Sequence, residues 1–177
     1  MLLKTWRFIT LLLAALLMGM TFCHVLEFPA KMQYAATLYL TLHRTLYVAF
    51  GPPNVGVFIE MGAILAALVL VFLVRQRHPA FWLTLLGAVS LAAGLVVYFG
   101  FVEPANVALK GMALDTPPAD WTQWRVQWEY GHAAHFVSHI IGFSALVLSV
   151  VLEAPPVPLG TQLASPEHDL YPTSSQQ

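Results

Sequence analysis

Residues 124–143, WRVQWEYGHAAHFVSHIIGF, set Arg125, Glu129, His132, His135 and His139 at the entrance to a purely apolar run. The three histidines are spaced by three and four, and Glu129 lies three before His132, so on a helix they form one stripe. His24 and Glu27 are also three apart, and Glu60 stands alone in the apolar stretch GVFIEMGAILAALVLVF. Carboxylates and imidazoles projected inward from facing helices are how bundles hold metal ions; E-x-x-H is the pattern of the di-iron carboxylate bundles. Mixed Glu/His sets suit iron, copper, manganese or zinc. Without a metal, a carboxylate–imidazole pair could deprotonate an acidic phenol.

The elements that must carry these groups follow from composition. The chain has 177 residues, 58% hydrophobic and 10% charged, against about 25% charged in soluble domains. A net charge of -1 leaves no basic patch for nucleic acid. The single cysteine, Cys23, excludes an intrachain disulfide framework. Four apolar stretches, about 6–26, 55–74, 80–102 and 132–152, approach or exceed the roughly 20 residues a helix needs to cross a bilayer. A lone strand cannot satisfy its backbone in lipid, and the runs lack the alternation of a barrel. The first stretch has a basic start and an apolar centre but no A-x-A-like cleavage site, so it reads as a retained helix.

Between the first two spans, KMQYAATLYLTLHRTLYVAFG contains no internal Gly or Pro and reads as an amphipathic helix over about 31–50. Residues 103–123 read as a loop, with Thr116 or Asp120 available to cap the following helix. The expected fold is therefore all-α: an integral membrane four-helix bundle over 1–153, with an additional amphipathic helix. A Pro/Ser-rich tail, 154–177, reads as disordered. Lys4, Arg7 and the RQRHP link favour the cytoplasm, giving an N-in/C-in topology. In a bacterium this membrane would be the inner one.

With four spans, His24, Glu27, Glu60, Glu103, Asn106, Glu129, His132, His135 and His139 all fall at the outer end. Charges near a bilayer centre are costly and usually face the bundle interior. Each has a plainer reading. Arg125, Glu129 and His132 could snorkel at the interface, and Glu60 could use a helix N-terminus. His139 could make one interhelical hydrogen bond, and Trp121, Trp124 and Trp128 could form an aromatic belt. The convergence favours a polar cavity.

Residues 103–132, EPANVALKGMALDTPPADWTQWRVQWEYGH, contain Pro104, Asn106, Asp120, Trp121, Arg125, Trp128 and His132. Together with HVLEFPAK and YLTLHRTLYVAFG, this pattern resembles the DUF1772, or anthrone-oxygenase-like, family of small four-helix membrane proteins, over about residues 10–152. Some fungal members are associated with oxidation of anthrones to anthraquinones. This chain departs from many members at His135, where they carry Arg, and the extra imidazole enlarges a metal- or haem-ligating set.

The resemblance implies a membrane oxidoreductase, with a site in the outer half between the first, second and fourth spans. His24, Glu27, Glu60, Glu129 and His132 are then the expected metal ligands or acid–base groups, with Glu129 and His132 closest to catalysis. Asn106 and Arg125 would anchor the third loop or orient a substrate oxygen. His135 and His139 would be extra cofactor ligands or support them. The partners expected are the bilayer and a small hydrophobic or aromatic substrate; homo-oligomerisation stays open. Two alternatives stand beside it. One is a non-catalytic binding or transport subunit whose Glu/His cluster relays protons or metal ions, although no Gly/Pro-broken spans or inverted repeats are seen. The other is b-type haem held by His24 with His132 or His139. No nucleotide-phosphate motif is present.

Overall fold

A computed structural model describes residues 1–153; the expectation for the tail, 154–177, lies outside the described residues. Within them the chain is all-α. The helices are α1 (Leu2–Lys31), α2 (Ala36–Thr45), α3 (Val55–Leu73), α4 (Ala80–Val97), α5 (Glu103–Gly111) and α6 (Trp121–Val151). A 3-10 turn, Tyr47–Ala49, follows α2, and a π turn, Tyr98–Val102, joins α4 to α5.

Helix length shapes the architecture. Four helical segments are long and apolar enough to cross a membrane: Leu2–Lys31, Val55–Leu73, Ala80–Gly111 and Trp121–Val151. At 1.5 Å per residue, 30 residues span about 45 Å and 19 about 29 Å, while the hydrocarbon core is about 30 Å thick. Three long rods therefore stand beside one short one. They are level at the end where Glu153 accepts from Arg77 at 2.7 Å and also pairs with Arg7. The excess length projects at the other end, and α2 packs among it.

This projection corrects one expectation: α4 continues through the π turn into α5 where a loop was expected. The helix that carries the apolar run from 132 starts at Trp121, directly after Asp120. Both segments contain apolar residues that pack there: Val102, Leu109 and Trp128 share a core with Tyr39 and Leu40 of α2. The amphipathic segment is also broken. Its first residue, Lys31, ends α1, and α2 starts only at Ala36. Asp120 precedes α6 without a side-chain capping bond.

Small residues are concentrated inside the bundle, and many large apolar ones are exposed on its outside. Ala14, Ala63, Ala67 and Ala88 are buried beside Leu17, Leu91 and Leu146, whereas Phe58, Leu65, Phe72, Trp82 and Val89 are exposed. Lipid is as apolar as leucine, so close backbone approach, not apolar burial, holds such helices together. Helices α4 and α6 show this: a Cβ at Gly87 would lie 2.7 Å from Leu146, and one at Gly142 would lie 3.1 Å from the Gly87 carbonyl.

Candidate functional site

The stripe read from α6 is buried along its whole length: Glu129, His132, His135 and His139 all face inward. Glu60 is five residues into α3, about 7.5 Å below its start. His135 Nε2 lies 3.0 Å from Glu60 Oε1, and His139 Nε2 lies 3.8 Å from the same oxygen. The ligand atoms of these three side chains lie within 4.8 Å of one another, and the group could hold a metal ion.

The orientation of His139 follows from its neighbours. Its Nδ1 is 3.3 Å from Thr21 Oγ1. The Thr21 hydroxyl has backbone acceptors of its own, the Met18 carbonyl at 3.1 Å and the Leu17 carbonyl at 3.4 Å. Thr21 thus ties the Nδ1 edge of the ring to α1, and Nε2 is turned toward Glu60, buried without a hydrogen-bond partner. Gly94 makes room for this arrangement, since a Cβ there would sit 2.6 Å from His139 Nε2 and 2.9 Å from His135 Cδ2.

Above the three lies a cavity of about 220 Å³. Glu60 and His135 form its floor, with His24, His132 and Trp128 along the wall and the 50–54 turn near the mouth. The His24 and His132 rings stack with centroids 3.9 Å apart. Trp128 sets an edge against both, at 5.0 Å and 4.3 Å. A haem ligated by His24 and His132 does not fit, because rings stacked face to face leave no space for a macrocycle between them.

The other expected site residues are engaged elsewhere. Glu129 pairs with Lys31 at 3.0 Å and accepts from the Tyr39 hydroxyl at 3.0 Å; it does not line the cavity. Glu27 accepts from Tyr47 at 2.6 Å and lies 3.7 Å from Lys31. Burial, reinforced by the neighbouring carboxylates Glu129 and Glu27, raises the pKa of Tyr39 and Tyr47 and keeps both phenols protonated donors. The five expected metal ligands therefore do not form one group; Glu60 alone among them joins the three-residue cluster.

Asn106 lines the cavity, but its hydrogen-bonding capacity is spent. Its oxygen accepts from Trp128 Nε1 at 2.7 Å and His43 Nε2 at 3.1 Å. Its nitrogen donates to Tyr98 at 3.2 Å and Glu103 at 3.0 Å. It thus joins α2, α5, α6 and the π turn. Arg125 donates to the Tyr34 carbonyl at 3.0 Å and covers Trp121 at 4.6 Å. Both anchor the projecting end, and Arg125 is not among the residues that line the cavity. Lys31, Thr21, Tyr98 and Gly94 were not expected near the site from the sequence, and His43 read only as a polar-face residue of the amphipathic helix. A buried lysine at a helix end looks there like any interfacial cation, and Thr21 like any threonine of an apolar helix.

No family model, curated protein or solved structure matches the chain.

Proposed function

We propose that the protein is an integral membrane oxidoreductase in which Glu60, His135 and His139 hold a transition metal at the floor of the cavity, and that a small aromatic substrate is oxidised there by O2. The observation that carries this reading is the buried group itself: ligand atoms of Glu60, His135 and His139 lie within 4.8 Å of one another, and His139 Nε2 has no hydrogen-bond partner. Two imidazoles and one carboxylate with open positions are the donor set of non-haem Fe(II) oxygenases. A bound metal would supply O2 activation. The chain's own residues do the rest: Thr21 holds the His139 ring by its Nδ1 edge, Leu17 and Met20 limit water at the floor, and Trp128 lines the wall. The overall change is balanced: a phenol with a free para C–H and one O2 give a para-quinone and one water. One oxygen atom enters the product, the other leaves as water, and the ring supplies all the electrons. The resemblance to the anthrone-oxygenase-like family supports the same class of reaction. Lys4, Arg7, Arg75 and Arg77 keep the level end cytoplasmic, so the cavity opens on the opposite side.

The test is elemental analysis of untagged protein purified in mild detergent, with O2 uptake on 1-naphthol measured in parallel. Near-stoichiometric metal is expected in the wild type and in Glu129→Gln. Glu60→Gln and His139→Gln should retain about a tenth or less, by analogy with the 10–100-fold losses when a metal ligand's support is removed. Full occupancy in both of those variants, or a metal-free wild type from metal-replete cells, would overturn the assignment.

A further inference from the structure

We propose that the stacked His24–His132 pair is an oxygen-binding subsite, presenting two N–H donors to the ring oxygen of a one- or two-ring phenol or quinone. This deepens the preceding reading, but the subsite itself does not require the metal.

The donors follow from what is buried. His24 and His132 are 3% and 7% exposed, and both line the cavity. In each ring Nδ1 is buried with no hydrogen-bond partner. A neutral imidazole has one N–H and one lone pair, and native structures leave buried donors unpaired less often than acceptors. Nδ1 is therefore the lone-pair atom in both, and Nε2–H is the edge each offers to the cavity. With the planes 21° apart and the centroids 3.9 Å apart, the two donors belong to one wall. Trp128, packed edge-on against both rings, fixes that wall.

A pair of donors selects an acceptor oxygen. The surrounding charge agrees: Lys110 stands at the mouth, and Glu60 on the floor is the single carboxylate among the lining residues. Size narrows the class further. An apolar cavity of about 150 Å³ holds benzene, so about 220 Å³ accommodates a second fused ring. A third ring would have to protrude through the mouth. With its oxygen on the histidine pair, the rest of the ring lies in the same cavity as Glu60 and His135.

Equilibrium dialysis on metal-free, full-length protein in nanodiscs tests this, with protein-free nanodiscs as the baseline. The ligands are 1-naphthol, 1-methylnaphthalene, which has nearly the same shape without the oxygen, and the three-ring anthrone. Wild type should bind 1-naphthol saturably and each of the others about tenfold more weakly, the scale of one or two lost hydrogen bonds for the methyl compound. His24→Leu and His132→Leu should erase the preference for naphthol over methylnaphthalene, and His132→Gln, which keeps an N–H near the Nε2 position, should restore it. Binding of 1-methylnaphthalene by the leucine variants shows that their cavity is intact; if they do not fold, the wild-type preference decides alone. Because the protein is metal-free throughout, the naphthol preference reports on the subsite alone and separates its failure from failure of the metal site. Equal wild-type affinity for naphthol and methylnaphthalene, anthrone binding as tightly as naphthol, or unchanged naphthol preference in both leucine variants would overturn the proposal.

Discussion

Thr21 is one of three threonines in α1, yet its hydroxyl, 3.3 Å from His139 Nδ1, ties that ring to α1. His43 has a comparable place at the projecting end, donating to Asn106 beneath α2. Burial pushes its pKa from 6.5 down to about 4, and the bond to Asn106 opposes this only in part. Lys110, Arg44 and Lys31 also disfavour its protonation. As pH falls below 6.5, the unfolded chain takes a proton that folded His43 refuses until about 4. Stability is therefore lost through that window, not above it. Comparing melts at about pH 7.5 and about pH 5.5, His43→Gln should lose about 1 kcal/mol less than the wild type. An identical pH slope in the two proteins would show that His43 does not titrate in this way.

At the scale of elements, the contact between α4 and α6 sets the geometry of the centre. The small residues Gly87 and Gly94 lie seven apart on α4, the first against Leu146 and the second against His135 and His139. Gly94→Ala should cost about 1–3 kcal/mol by overpacking and lower metal occupancy. Gly19→Ala, with open space around its Cβ, should do neither. Paired denaturation and elemental analysis would check this, and full occupancy in Gly94→Ala would mean that the rings can move aside. The stripe on α6 was legible because its spacing of three and four is a local property of one helix. The partner of that stripe was not. The sequence offers Glu27, Glu60 and Glu129 as similar carboxylates near span ends, and only the level and azimuth of α3 against α6 select Glu60.

At the scale of the whole molecule, the two ends differ. One is level and basic, closed by Arg7, Arg77 and Glu153. Burial would raise the Glu153 pKa, but its hydrogen bonds from Arg77 and Arg7 outweigh that and lower it. The other end projects and opens into the cavity. The proposed orientation predicts that, in a Cys23→Ser background, an impermeant maleimide labels Thr116→Cys in intact cells and Gln76→Cys only after permeabilisation. Both positions are exposed. The reverse pattern would invert the topology and turn the cavity toward the cytoplasm.

The sequence by itself determined the all-α class, the number of long apolar helices and the gathering of polar groups at one end. These depend on run length and on the periodicity of a single helix, which the chain carries locally. Tertiary structure decided the pairings. It bound Glu129 to Lys31, saturated Asn106, stacked His24 on His132, and left Glu60 facing His135 and His139. Such pairings depend on how closely glycines let neighbouring helices approach and on how far each rod extends past its neighbours. Neither is a property of any one segment.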